Sequence, residues 1–305
     1  MGTSSRVMPS QIRNKMKREE VFHKIKSEKR RAKMKARMQT KKDEEENPKL
    51  KEERLKKNIP NTLENTREFD ETIVGEDEEV FKDEEIDEFA SYFRDGVQPK
   101  LLVTTSRRPS KEVYELSNEL CDVFPNSTFV KRGSTEEVKK LVQLAVQKDY
   151  TDLMIINEDK KVPNAITLIH LPHGPTAYFK LTSIRISKDI ANHGRSTPHK
   201  PELILNNFNT RLGHTVGRMF AALFPTVPEF KGRQVCTLHN QRDFIFFRRH
   251  RYIFKDGKKV DLQELGPRFT LKLRWLQKGT FDTKFGEYEW KHKPEMDTSR
   301  KRFFL

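Results

Sequence analysis

The feature that most narrows the fold is a short phrase that the chain carries twice. Gly174-Pro175-Thr176-Ala177-Tyr178-Phe179-Lys180-Leu181 lines up with Gly266-Pro267-Arg268-Phe269-Thr270-Leu271-Lys272-Leu273, sharing Gly-Pro at the start and Lys-Leu at the end. Upstream of both copies the same markers come in the same order. PKLLVTT from Pro99, a helical run and Phe124-Pro125 are followed by PELILNN from Pro201, a helical run and Phe224-Pro225. YTDLMII from Tyr150 and RDFIFF from Arg242 take corresponding places before the phrase recurs. Markers repeated in order predict an α/β fold of two related halves with mixed sheets, at about 99–184 and 201–281, the second lacking one helix.

The second copy opens the more regular strand, GPRFTLKLRWLQKGTF. Phe269, Leu271, Leu273 and Trp275 alternate with Arg268, Thr270, Lys272 and Arg274, the period-two pattern of a strand with one buried face. Three cations in four outward positions point to a surface that meets polyanions. The plainer alternative is a strand face kept soluble by charge.

Of the 305 residues, 34% are hydrophobic and 34% charged, with a formal net charge of +15. The core must therefore be concentrated in part of the chain, and the excess charge favours nucleic acid or an anionic surface as partner. The longest stretch free of charged residues, Val162 to Phe179, contains Pro163, Pro172, Gly174 and Pro175, which predicts no membrane span. No apolar leader core follows Met1, so an intracellular protein is expected. Cys121 and Cys236 carry no CxxC spacing and read as buried thiols in a reducing compartment.

Two charge runs precede the folded region. Between Met1 and Lys42 there are fifteen Lys or Arg against three acids, and from Gln11 to Asn47 neither Gly nor Pro. Residues 1–57 thus read as a long basic helical extension that orders along RNA or in a groove of a large assembly. Its densest part, Lys29, Arg30, Arg31, Lys33, Lys35 and Arg37, equally satisfies a nuclear import signal. From Glu64 to Glu88 the balance reverses, with thirteen acids against Arg67 and Lys82. Residues 58–98 read as a solvated acidic linker; the alternative is that Ile73, Val74, Val80, Phe81, Ile86, Phe89, Tyr92 and Phe93 let it fold back over the cationic domain or dock on a partner.

Within residues 99–281 the pattern predicts strands at 100–105, 127–130, 152–157, 165–171, 176–184, 203–205, 234–238 and 243–254, then the closing strand, with an Asp256-Gly257 turn. Helices are expected over 110–123, from Gly133-Ser134-Thr135 onward, and over 211–224. The tail, 282–305, holds Tyr288, Trp290, Phe303 and Phe304 among Lys291, Lys293, Arg300, Lys301 and Arg302 without periodicity. So many rings predict docking on the domain or stacking on bases.

Catalytic signatures are missing. There is no GxxxxGK[ST] and no GxGxxG, and no Ser or Cys sits in a nucleophile motif. His170 and His173 lack zinc-spaced partners and read as structural. Asp152, Glu158 and Asp159 are the only thinkable nuclease cluster, and strand-end carboxylates are common as turn residues.

With these motifs in view, and with the helix phrase NNFNTRLGHTVGRMFAALFP at 206–225, the region from Pro99 to Phe281 resembles a Brix domain. That family serves eukaryotic ribosome assembly, and its fold resembles two fused half-domains of the anticodon-binding kind. PNTLENTREFDETIV, DEFASYF, INEDKKVPN and GEYEWKHKPEMDTSRKRFFL are similar to segments of a family member of early large-subunit particles. The resemblance implies nuclear and nucleolar residence, binding to large-subunit precursor rRNA, support of 5.8S and large-subunit rRNA processing, a dedicated non-Brix partner, and neither catalysis nor cofactor. On this reading Arg268, Lys272, Arg274, Lys278, Arg211, Arg218, Arg248, Arg249 and Arg251 form one curved cationic surface for rRNA phosphates. The rival readings are a protein scaffold with incidental RNA contact and an RNA-processing enzyme.

Overall fold

The computed structural model describes residues 9–305 apart from 59, 61, 63, 76, 77, 134, 256–258, 283 and 300, and divides into Met1–Thr66 and Arg67–Leu305. In the first unit the run of helix formers becomes α1 (Lys15–Glu46), whose N-cap Asn14 accepts a hydrogen bond from the Lys17 amide. The helix stops at Asn47-Pro48, because a proline has no amide to continue the ladder. The same proline then occupies the first turn of α2 (Pro48–Lys57). Arg54 forks onto Glu44, one bond at 3.0 Å. Neither helix buries a residue.

The second unit is built on one mixed sheet. Its strands are β1 (Leu101–Thr105), β2 (Ser127–Phe129), β3 (Asp152–Asp159), β4 (Val162–His170), β5 (Thr176–Arg185), β6 (Glu202–Asn206), β7 (Gln234–Gln241), β8 (Phe244–Lys255), β9 (Lys259–Glu264), β10 (Arg268–Gln277) and β11 (Tyr288–Lys291). The order is β2-β1-β3-β4-β5-β10-β8-β7-β6, with β9 against β8 and β11 against β10. In the first half β1 runs parallel to β3, and in the second β6 runs parallel to β7. The topological counterpart of YTDLMII is therefore β7, not the RDFIFF strand β8. The linear comparison slipped by one strand because, among the described residues, the second half has no equivalent of β2 and its following helix.

The halves join where β5 and β10 pair antiparallel, and the repeated phrase explains how. Lys180 and Lys272, equivalent in the two copies, stand opposite each other in the register, with Leu181 against Leu271 and Phe179 against Leu273. Equivalent residues face each other only on a local two-fold axis, so the axis passes between these lysines. Each strand has one extra residue beyond it, seen as register shifts between Arg268 and Thr270 and between Leu273 and Trp275. The other duplicated marker also meets its copy: the rings of Phe124 and Phe224 lie 5.2 Å apart.

Helices α5 (Lys111–Val123) and α7 (Arg211–Ala221) cover one face of this sheet. Val113, Leu116 and Leu120 of α5 and Val216, Met219 and Phe220 of α7 share a core with Phe179, Leu181, Phe247, Phe269, Leu271 and Leu273. Helix α6 (Val138–Gln147) begins later than the Gly133-Ser134-Thr135 signal, of which Ser134 lies outside the described residues. It packs on the other face, over Leu102, Leu153, Ile155 and Ile169. The Asp256-Gly257 turn also falls outside the described residues, although β8 and β9 pair out to Lys255 and Lys259.

The acidic segment does not stay extended. After a bridge between Ile73 and Thr210, it forms α3 (Glu78–Glu84) and α4 (Ala90–Asp95) and sinks Val80, Phe89 and Tyr92 into the body. Each such side chain contributes roughly 1.5–3 kcal/mol relative to exposure, enough to overcome the repulsion of the acids. The tail docks on the domain, as its rings predict, and does so partly as a strand: β11 lengthens the sheet along β10, pairing Trp290 with Leu276, and Leu305 is buried. Arg300 lies outside the described residues.

Candidate nucleic-acid interface

Alternation in the three central strands decides which side chains share the face opposite α5 and α7. On β5 these are Tyr178, Lys180, Thr182 and Arg185; on β10, Arg268, Thr270 and Lys272; on β8, Phe244, Phe246 and Arg248, because Phe179, Leu181, Phe269, Leu271, Ile245 and Phe247 all point into the core. Rows run across the strands: Lys180, Lys272 and Phe244, then Thr182, Thr270 and Phe246. Arg185 pairs with Arg268.

Two like-charged pairs thus stand directly opposite each other at the centre of the sheet, an arrangement that costs stability unless anions are supplied. Asp297 supplies one, its carboxylate 3.0 Å from the Lys272 ammonium, and Glu264 another, 3.2 Å from Arg268. The Lys272 ammonium, and after it His292, hold the Asp297 carboxyl below the usual carboxylate range. Lys272 also lies 5.2 Å from the Phe244 ring centre and Arg248 lies 5.8 Å from that of Phe246. Arg248 donates to the carbonyls of Phe247, at 2.7 Å, and Phe269, and burial pulls its pKa down.

Toward the end of β10 the alternation slips. The extra residue between Leu273 and Trp275 turns Trp275 out of the core, where it stacks on Tyr178 at 5.3 Å and 5° and meets Tyr288 edge-on at 5.6 Å. Leu276 takes the core position instead. The expectation that Trp275 continues the buried side is corrected by this bulge, whose register β5 imposes.

Of the cations expected to form one surface, the structure brings together Arg248, Arg268 and Lys272, with Arg274 alongside, 3.1 Å from His292. Lys278 pairs with Glu287 at the strand's end. The others point elsewhere. Arg249 is 2% exposed and donates to Gln234 and Ser196, both at 2.7 Å. Arg251 follows it, bonded to the Arg195 carbonyl. They sit on the opposite face from Arg248 because neighbours in a strand alternate. Arg211 and Arg218 lie on α7, across the sheet, and are taken by the acidic arm. Arg218 forks onto Asp87 at 2.6 and 2.7 Å, Arg211 meets Glu79 and His214 meets Glu84 at 2.7 Å. A single surface holding all of these residues does not exist. Lys29, Arg30, Arg31, Lys33, Lys35 and Arg37 are exposed along α1 in the separate first unit.

Sequence reasoning missed Lys180, Arg185, Phe244 and Phe246. Their signal was available in the alternation of TAYFKLTSIR and FIFFRRHR, but only the β5–β10–β8 neighbourhood joins them. The carboxylates weighed as a nuclease cluster do not gather. Asp152 bonds His170 at 2.8 Å at the start of β3, whereas Glu158 accepts from the Ser110 amide, roughly 20 Å away along the strand.

The description of the Brix domain matches residues 106–275 of this chain. The chain belongs to the Brix family. The Brix domain so matched contains β5, β8 and most of β10, and therefore the lysine axis. Ribosome production factor 1 of Pongo abelii is 54% identical over 300 residues, covering 97% of this chain and 84% of that protein. Ribosome production factor 1 of Saccharomyces cerevisiae is 52% identical over 296 residues, covering 96% and 97%. A crystal structure of a probable ribosomal biogenesis protein from Aeropyrum pernix K1 aligns with 57% of this chain and 96% of its own at 17% identity, with a TM-score of 0.44.

Proposed function

We propose that this Brix protein is a non-catalytic ribosome assembly factor that binds precursor rRNA of the large subunit. The reading rests on its similarity to proteins named ribosome production factor 1 along 84% and 97% of their length. The observation that carries the RNA contact is the pairing of Lys180 with Lys272, flanked by Arg185 with Arg268. Cations opposed in this way favour a polyanion that can lie across both strands. On this reading the protein works in the nucleus and nucleolus, supports processing of 5.8S and large-subunit rRNA, and keeps company with a non-Brix partner and other pre-ribosomal proteins. The exposed cations of α1 add a second, less selective contact.

Replacing Lys180, Arg185, Arg268 and Lys272 with glutamine tests the reading. RNA affinity should fall while the folded state is kept, since the relief of like-charge repulsion offsets the loss of the Asp297 and Glu264 ion pairs. If about four phosphates are neutralised, the slope of log affinity against log salt starts near −3 and flattens in the variant. Unchanged affinity and slope would remove the mechanism.

A scaffold reading draws on the acidic arm, where Phe81 is 57% and Ile86 84% exposed although the arm itself is packed. Partner capture that survives nuclease, together with no affinity of the isolated protein for precursor rRNA, would favour it.

A further inference from the structure

Resting on that reading, we propose that the outer sheet face takes unpaired RNA, with bases laid on its rings, and discriminates against double helix. Rings and cations stand side by side on this face. Arg248 covers Phe246 and Lys272 covers Phe244; beyond them Tyr178 stacks on Trp275, Tyr288 stands against Trp275, and Lys291 lies 5.6 Å from the Tyr288 ring centre. Phe244 remains 39% and Tyr288 41% exposed. Large rings left in water beside opposed cations fit a ligand carrying anions and flat apolar surfaces on one flexible backbone.

The chemistry separates the two forms of RNA. A double helix shows proteins its phosphates and sugars while its bases are stacked inside, so it would engage Lys180, Lys272, Arg185 and Arg268 and leave the rings idle. An unpaired strand can set phosphates on these cations and bases on the rings at once, and each base–ring stack adds a sequence-tolerant gain. The strands β5, β10 and β8 are neighbours, so Lys180, Lys272 and Phe244 lie within roughly 10 Å of each other across the strands, while Arg268 and Trp275 stand roughly 20 Å apart along β10. The two halves differ at this point: Lys180 has Ala165 as its other neighbour on β4, whereas Lys272 has Phe244. Phe244 and Phe246 therefore lie on the β8 side of the axis and Tyr178 on the β5 side, so the two halves offer the bound strand unequal ring surfaces.

The test uses the full chain and fluorescence anisotropy with a labelled twelve-nucleotide RNA of mixed sequence, alone and annealed to its complement. The single strand should bind at least about tenfold more tightly than the duplex. Phe244→Leu combined with Tyr288→Leu should cost the single strand about 10- to 100-fold and leave the duplex unchanged, while Phe244→Trp restores most of the loss. In a Trp290→Phe background, emission from Trp275 should be quenched by the single strand only. Equal or tighter duplex binding, or leucine variants that bind the single strand like the parent, would overturn the proposal. Loss of binding in Lys180→Gln with Lys272→Gln, alongside normal leucine variants, would sink base stacking alone. Binding untouched by the glutamine variants would sink the underlying RNA reading too.

Discussion

Gly174 and Gly279 meet backbone to backbone at one end of the β5/β10 seam, so closely that a Cβ on Gly174 would come within 2.3 Å of the Gly279 carbonyl carbon. The far end repeats the contact with the halves exchanged: a Cβ on Gly266 would stand 2.9 Å from the Ser187 Cα. Gly174 and Gly266 both hold positive φ, 104° and 77°. The Gly-Pro of the repeated phrase thus marks where the entrance of each seam strand touches the loop leaving the other.

Gly174→Ala should lower the unfolding free energy by about 2–4 kcal/mol, from overpacking added to backbone strain. Gly279→Ala meets only the His173 carbonyl, at 3.6 Å, and should cost only the strain of its positive φ, about 1 kcal/mol. Urea unfolding of the two variants checks the order, and equal losses would contradict the close contact.

Asp243 accepts hydrogen bonds from the Phe304 and Leu305 amides at 2.7 and 2.9 Å, tying the chain end to the turn between β7 and β8. Asp243→Ala, which strands both amides, should cost about 2–4 kcal/mol, and Asp243→Asn much less. Burial, outweighing those two amides, pushes the Asp243 carboxyl up from its ordinary value of 3.8. With the folded value above the unfolded one, this group's contribution is complete below about 3.8 and is lost as pH rises through the folded value. Relative to Asp243→Asn, the parent should therefore weaken as pH rises from about 4 to 7, read from thermal midpoints.

Arg218 and Arg249 are expected to act on stability rather than on RNA. A double-mutant cycle between Arg218 and Asp87 should give a coupling of about 1–3 kcal/mol, since both side chains are 21% exposed and the fork is two-pronged. Arg249→Ala should destabilise by about 2–4 kcal/mol through the partners it leaves on Gln234 and Ser196. RNA affinity, measured below each variant's melting range, should stay within twofold of the parent; a loss above tenfold would return these arginines to the interface.

Asp297→Asn removes the carboxylate that neutralises Lys272. RNA affinity should rise by about two- to fivefold, the worth of a partly exposed ion pair, with the gain shrinking as salt increases. No gain at low salt would mean that Asp297 does not compete with phosphate.

Much of the fold was legible in the sequence because duplication and alternation are written locally. The strand phrases, the α5 and α7 periodicities and the second half's missing helix are all read from single stretches. What was not legible depends on pairing. Trp275 leaves the core because β5 sets a bulge that no pattern within β10 announces. Lys180 becomes interesting only once it stands opposite Lys272. Arg248 and Arg249 were grouped as sequence neighbours although strand geometry alone sends them to opposite faces. Arg211 and Arg218 carry the solvent-facing signal of an amphipathic helix, and nothing in α7 shows that Glu79, Glu84 and Asp87 arrive from residues far upstream.

The lysine axis has a historical cost built into its geometry. A gene fragment that doubles and then folds onto its twin sets one position of each copy against itself, so any charge kept there meets its own sign. Changing both copies together never makes that position complementary. Relief has to come from beyond the repeat, from an appended carboxylate such as Asp297 or from a visiting phosphate. A protein that retains both ammoniums has made its midline dependent on something it did not duplicate.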